Sequence, residues 1–282
     1  MAEVIRRPTL RPSEARSTFA VIDVGSNTAR LVIFRTSESG ALRAIDERKE
    51  VPRLGSGTLP DGSLSSEAFD RGIASLDRFA HALEALGSPT SAGVATSAVR
   101  DAPNGPAFLQ QVERTTGISL RTLSGSEEAR FAYLGVASAW ELDNALVCDL
   151  GGGSLQIVEV RDGHLQNSVS LPLGVLRLTQ RFLEHDPPKG REVDDLRALA
   201  RDSIRGTLDA FRGRTYRLYS AGGTVRALAR AAIDLRDYPI PRVHGYALRE
   251  RDLEALFDLL IEVPAAKRRA VAGIGNDRAD VV

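Results

Sequence analysis

One turn design occurs twice in this chain, and the repetition restricts the fold more than any bulk property. Phe19-Ala20-Val21-Ile22-Asp23-Val24-Gly25-Ser26-Asn27-Thr28 is an apolar strand that ends in a carboxylate and passes at once into glycine and hydroxyl residues. Leu146-Val147-Cys148-Asp149-Leu150-Gly151-Gly152-Gly153-Ser154 has the same form, with 126 positions separating Asp149 from Asp23. Such a strand delivers its Asp at the end, and the glycines let the backbone turn tightly enough for N–H groups to face an anion unscreened by side chains. A third glycine turn follows at Ser220-Ala221-Gly222-Gly223-Thr224. Together they imply two related lobes facing one phosphate-bearing ligand, with Asp23 and Asp149 placed to hold a cation against it.

The chain between these turns reads as an α/β fold. Strand patterns at Phe19 to Val24, Ala29 to Arg35 and Leu42 to Val51, joined by tight turns, predict an antiparallel start to a mixed sheet. Ser65 or Ser66 caps a helix running toward Gly87; Ala92 to Thr96 is a buried strand, Phe108 to Thr116 a helix closed by Gly117, and Ile118 to Leu123 a strand. From Ser124-Gly125 the order repeats. A helix from Ser126 to about Trp140 leads to Ala145 to Leu150, the second glycine turn, Leu155 to Val160, an Asp162-Gly163 hairpin and Leu165 to Leu171. Helices follow at Leu176 to Phe182 and Asp194 to Phe211, around a Pro187-Pro188 and Lys189-Gly190 surface loop, then a strand at Arg217 to Ala221. Val225 to Ala232, Leu253 to Ile261 and the Arg-rich run after Pro264 are helical patterns. The expected division is a flexible polar tail over 1–18, a first lobe over 19–124 and a second over 125–282, the product of a duplication.

Composition narrows the partners. Lys+Arg and Asp+Glu are both 37, so no net field draws the chain to nucleic acid or to an anionic membrane, and a polyanion must be met by a local site. No stretch approaches the ~20 apolar residues of a membrane span, and the polar start lacks a signal-peptide core; a cytoplasmic protein is expected. Cys148 is the single cysteine and reads as a buried structural thiol. The histidines at 81, 164, 185 and 244 show no metal spacing. A homodimer is the default association for a soluble enzyme.

Ser124-Gly125-Ser126-Glu127-Glu128-Ala129-Arg130 stands at the junction of the lobes and admits two readings. Two carboxylates at a helix start satisfy a capping box and the helix dipole; alternatively, one points into the cleft and takes a proton from an attacking water. Arg100, just after a strand and a Ser-containing turn, either forks onto a phosphate or makes a surface ion pair.

Taken together, Asp23-Val24-Gly25-Ser26-Asn27-Thr28, Leu123 to Arg130, Asp149 to Ser154, Leu171 to Phe182 and Ser220 to Thr224 resemble the exopolyphosphatase and guanosine pentaphosphate phosphohydrolase family, of the superfamily of actin, Hsp70 chaperones and sugar kinases. The resemblance runs in order from about Phe19 to the last residue. It implies a two-lobed actin-like, ribonuclease H-like fold with an interlobe cleft, and hydrolysis of the terminal phosphate of inorganic polyphosphate or the 5′ phosphate of guanosine pentaphosphate. By motif, Glu128 becomes the general base, and Asp23 and Asp149 become proximal to Mg2+ or Mn2+. Gly25, Ser26, Asn27, Thr28, Arg100, Gly151, Gly152, Gly153, Ser154, Gly222, Gly223 and Thr224 become phosphate-binding residues. The chain departs from the family pattern at Leu155-Gln156, where many members have Thr-Glu; a neutral amide binds a cation less strongly than a carboxylate does. That departure keeps a non-hydrolysing sensor of polyphosphate or an alarmone in view. A sugar kinase is disfavoured, because Glu128 in its motif suits water activation better than sugar recognition.

Overall fold

A computed structural model describes residues 18–87, 89–209 and 216–282. The expected tail, except Thr18, lies outside them, as do positions 210–211 at the end of one expected helix. Two mixed sheets organise the chain. In the first, β1 (Thr18–Val24), β2 (Ala29–Thr36) and β3 (Leu42–Glu50) form an antiparallel meander; β4 (Thr90–Ala95) and β5 (Leu120–Thr122) extend it in parallel from the other side of β1, in the order β3-β2-β1-β4-β5. In the second, β6 (Ala145–Leu150), β7 (Leu155–Arg161) and β8 (His164–Leu171) form the meander and β9 (Arg217–Ala221) lies parallel to β6, in the order β8-β7-β6-β9. The second order repeats the first through its parallel neighbour, as a duplicated α/β core requires.

Local chemistry accounts for the elements. Alternation buries Ala20, Ile22 and Val24 of β1 and Ala29, Leu31 and Ile33 of β2. The crossover to parallel β4 needs a helix, and α1 (Ser66–Ala85) supplies it, with the Ser65 hydroxyl accepting from the Ala68 N–H at its start. A first core gathers Ile22, Leu31, Leu76, Phe79 and Phe108. Short α2 (Ser97–Arg100) leads to α3 (Gly105–Thr116), which ends on left-handed Gly117. A second core packs Ala129 and Tyr133 of α4 (Gly125–Ala137) on Val147, Val158 and Val160. Beyond β8 come α5 (Val175–Phe182) and α6 (Gly190–Asp209). A third core joins α7 (Gly223–Leu235) and α8 (Glu250–Ile261) to Ile274 and Ala279, past the single turn of α9 (Ala265–Arg268). No described helix is long and apolar enough to cross a membrane.

Several boundaries differ from expectation: α6 begins at Gly190, inside the expected loop and four residues before Asp194, and α7 and α8 begin two and three residues early. Three further differences have identifiable reasons. Ile118 and Leu123 are apolar because they enter the core from connecting segments, so the strand between them shrinks to β5. Helix α4 stops before Trp140, whose ring packs on Tyr219 and His244 with centroids 6.1 and 5.5 Å away. Helix α3 begins three residues early, with Pro106 in its first turn where a missing N–H costs nothing.

Candidate functional site

The two repeated turns close in the same way and lie against each other. Gly25 N–H donates to Thr28 O at 2.9 Å, and Gly151 N–H donates to Ser154 O at 3.0 Å. A Cβ at Gly152 would sit 3.0 Å from Ser26 Cβ and 3.1 Å from Asn27 N, and one at Gly153 would overlap the hydroxyls of Ser26 and Ser97. Those two hydroxyls share a buried 2.9 Å hydrogen bond. The first amides of α5 take the second turn's carbonyls: Val175 N–H bonds Gly151 O at 3.1 Å and Leu176 N–H bonds Gly152 O at 2.8 Å. No backbone carbonyl among the described residues accepts from Gly152 or Gly153 N–H. The carbonyl side of the turn is therefore spent on α5, while its amide side keeps no backbone partner among the described residues, the form a nest of N–H groups takes.

The third glycine turn joins them at Asp149. Gly222 has φ 102°, and a Cβ there would lie 3.1 Å from Asp149 Oδ1 and overlap Leu150 O. Gly223 instead backs the Arg278 guanidinium, which a Cβ would displace. Buried Asn27 Oδ1 in the first turn and buried Thr224 Oγ1 in the third have no hydrogen-bond partner among the described residues. A buried polar atom without a partner carries a cost that a ligand would relieve.

Three carboxylates converge beside these turns. Asp23 and Asp149 occupy equivalent strand ends, opposite Arg30 and Gln156 respectively across the antiparallel ladders. Asp23 is exposed by its own surface area, yet the atoms crowded around it desolvate its carboxylate; desolvation first, then the charges of Asp149 and Glu128, push its pKa up to about 6, against the pull of Arg30. Desolvation also raises Asp149, with Arg226 opposing it. Glu128, 10% exposed at its side chain, is raised by desolvation and lowered by Arg100 and the Thr96 hydroxyl. One oxygen of Glu128, Oε2, takes both Arg100 Nη1 at 2.7 Å and Gln156 Nε2 at 3.2 Å.

The capping reading of the Glu127-Glu128 pair holds for Glu127 alone, and Glu128 has a different setting. Glu127 completes the capping box of α4 with Ser124 and pairs with Arg121, which together hold its pKa near 2. Glu128, one position on, turns toward Asp23. Arg100 makes two ion pairs, one at the surface with exposed Asp101 and one with the largely buried Glu128. The remaining nitrogen of Arg100, Nη2, has no partner among the described residues.

Sequence reasoning missed several neighbours. Arg226 stands 126 positions after Arg100, and Ala95-Thr96-Ser97-Ala98-Val99-Arg100 repeats as Ala221-Gly222-Gly223-Thr224-Val225-Arg226, a signal readable by sliding the sequence over itself. Half-buried Arg226 shares its surroundings with Arg30, Arg230 and Arg278, whose repulsion adds to desolvation in lowering its pKa. Gln156, only 4% exposed, is a hub: its amide nitrogen also reaches Ser154 Oγ at 2.9 Å and Ser170 Oγ at 3.0 Å. Cys148 is a half-buried free thiol pushed up to about 11 by desolvation and Asp149, consistent with a structural role. His185, given no ligand role, meets Glu184 and Glu192 within 4.8 Å. Glu192 is already occupied there by the His185 ring and the Glu184 and Lys189 amides at the start of α6, so this group is explained without an ion.

Known proteins place this arrangement. Exopolyphosphatase 1 of Mycobacterium tuberculosis is 33% identical over 266 residues, 92% of this chain and 76% of that protein. The Mycobacterium leprae protein of that name is 31% identical over 265 residues, 92% of this chain and 77% of the other. An exopolyphosphatase from Cytophaga hutchinsonii superposes with a TM-score of 0.86 at 26% identity, over 94% of this chain and 86% of that one. The Aquifex aeolicus Ppx/GppA family member gives 0.73 at 29% identity, over 94% and 86%. Residues 32–282 match the Ppx/GppA phosphatase family directly; with its duplicated sheets and facing glycine turns, the chain belongs to that family.

Proposed function

We propose that this chain is a cytoplasmic exopolyphosphatase that releases terminal orthophosphate from inorganic polyphosphate by attack of water activated at Glu128. The names of its relatives support the substrate. The observation that carries the mechanism is the setting of Glu128: Oε2 is doubly held by Arg100 and Gln156, beside two strand-end aspartates and two turns with unspent amides. We also propose two lobes meeting at Ser124-Gly125, which the packing of α4 on the second sheet supports.

Asp23 and Asp149 fit a divalent cation, Mg2+ or Mn2+. Desolvation raises both, repulsion by Asp149 raises Asp23 further, and neither makes an ion pair among the described residues. Bound there, the cation would supply charge neutralisation on phosphate oxygens. The chain's own groups do the rest. Glu128 orients water toward the terminal phosphorus and accepts its proton. The new P–O bond forms as the bridging P–O bond breaks, and the electron pair leaves on the shortened polymer. Turn amides and Arg100 Nη2 bind the equatorial oxygens and favour the charge that builds up there.

The test is phosphate release from inorganic polyphosphate and from guanosine pentaphosphate, with Mg2+ and with a chelator. Release that requires metal and falls at least ~100-fold in Glu128→Gln is expected; preference for the guanosine substrate would move the assignment within the family. A second reading, binding without turnover, is favoured by the neutral Gln156 facing Asp149. Polyphosphate binding with no phosphate released from either substrate would select it.

A further inference from the structure

An alternating series of charges joins the second glycine turn to Glu128. Arg177, in the first turn of α5, donates from Nε to Gly153 O at 3.0 Å and from Nη2 to Asp101 Oδ2 at 2.6 Å. The other oxygen of Asp101 accepts from Arg100 Nε at 3.0 Å. Arg100 Nη1 then bonds Leu123 O at 2.9 Å and Glu128 Oε2 at 2.7 Å. Asp101 follows β4 of the first sheet and Arg177 follows β8 of the second, so the series bridges the two halves of the molecule.

Arg177 and Asp101 are each 41% exposed at the side chain, and an ion pair in that setting contributes only ~0–1 kcal/mol to folding. What the pair does fix is direction. A guanidinium is a rigid plane, so anchoring Nε to Asp101 and Nη1 to Leu123 O and Glu128 determines where the third nitrogen points. We propose that Arg177 and Asp101 are positioning residues, which register the Arg100–Glu128 pair against the second glycine turn. Without Asp101, Arg100 rotates about its bonds to Leu123 and Glu128. Without Arg177, Asp101 loses its link to Gly153, and its carboxylate is free to swing away from Arg100. The proposal rests on the exopolyphosphatase reading for its kinetic effect but not for its structural one.

Two measurements test it. In steady-state phosphate release from polyphosphate with Mg2+, Arg177→Ala and Asp101→Asn are each expected to lower kcat on the order of 10-fold, below the ~100-fold that an ångström of misplacement costs. KM should change less than about 3-fold, since the aim of Arg100 matters most for the charge that builds up in the transition state. Asp101→Glu should recover part of the loss, and the double variant should be no slower than the worse single, because the two act as one unit. The second measurement needs no turnover. The Arg100 Nε–H resonance, assigned by its absence in Arg100→Gln, should be sharp and exchange-protected in the wild type and broadened in Arg177→Ala, although Arg177 does not touch Arg100. Unchanged kcat in both single variants, additive losses, or an unaltered Arg100 resonance in Arg177→Ala would overturn the proposal. A lowered melting temperature that accounts for the lost rate would overturn it too. A wild type that releases no phosphate but shows the resonance change would strike the functional reading alone.

Discussion

Glu128 and its partners show what one residue type at one position decides. Glu127 and Glu128 have the same chemistry, and their spacing in sequence does not separate a helix cap from a cleft carboxylate. A helix advances about 100° per residue, so only one of two consecutive carboxylates can reach back to the cap while the other faces the opposite sheet. The sequence could therefore supply both roles, but their division needed the position of Arg100, 28 residues earlier. Gln156 was legible only as a departure from a family pattern; its bonds to Glu128, Ser154 and Ser170 depend on β7 and β8 pairing in one register. The pH dependence follows from this cluster. Burial lifts Glu128 above the ordinary 4.5, and its ion pair with Arg100 opposes that rise. Under the proposed mechanism Glu128 must be deprotonated to act as base, so kcat is expected to fall as pH drops through a value above 4.5. In Arg100→Gln the opposing pull is gone, and the acid limb of the kcat–pH profile should move to higher pH. A limb that stays in place or moves to lower pH would show that Arg100 does not stabilise the anionic form.

At the level of elements the sequence was most readable where one strong local signal decided the outcome. Ser65 starts α1, Gly117 ends α3, and the Asp162-Gly163 turn, with both residues at positive φ, joins β7 to β8. It was least readable where tertiary packing overrode periodicity, as at Ile118, Leu123 and Trp140. The duplication was visible in the aspartate turns, yet its extension to Arg226 was lost because Thr96-Ser97 became Gly222-Gly223. Glycine substitutions separate the two kinds of constraint. A Cβ at Gly174 would overlap the backbone of Gly152 and Gly153, so Gly174→Ala must push α5 away from the second turn. It is expected to cost ~1–3 kcal/mol in stability and to lower phosphate release more than the stability loss explains. A Cβ at Gly135, inside α4, meets nothing within 4 Å, so Gly135→Ala should stabilise by ~0.5–1 kcal/mol without altering turnover. Denaturant midpoints and steady-state rates for the pair check both outcomes, and equal effects at the two sites would refute the argument.

Among the described residues, the three apolar cores each belong to one side of the structure, and none combines residues of both sheets. What joins the sides is largely polar. Lys49 of β3 pairs with Asp277 at 2.5 Å, Arg53 pairs with Asp280, Asn27 reaches Asp277 O at 3.5 Å, and Arg177 holds Asp101. The glycine turns touch through backbone and hydroxyls, and Leu176 beside Gly55 adds a small apolar contact. Ion pairs at this exposure contribute ~0–1 kcal/mol each and weaken as the screening length falls from ~8 Å at 0.15 M salt to ~3 Å at 1 M. The apolar cores have no such dependence. Raising sodium chloride toward 1 M should therefore loosen the connection between the halves while leaving each core intact. Calorimetry is expected to show one unfolding transition at low salt that broadens or splits at high salt, and the Lys49→Ala, Asp280→Asn double variant should split already at low salt. Under the proposed function a phosphate-chain ligand binding between the halves would stabilise the joined state by mass action, so polyphosphate with Mg2+ should restore a single transition in the Glu128→Gln protein, in which turnover is expected to be at least ~100-fold slower. A single, salt-independent transition in the double variant would mean that the turn-to-turn packing at Gly152 and Gly153, and not the ion pairs, makes the two halves cooperative.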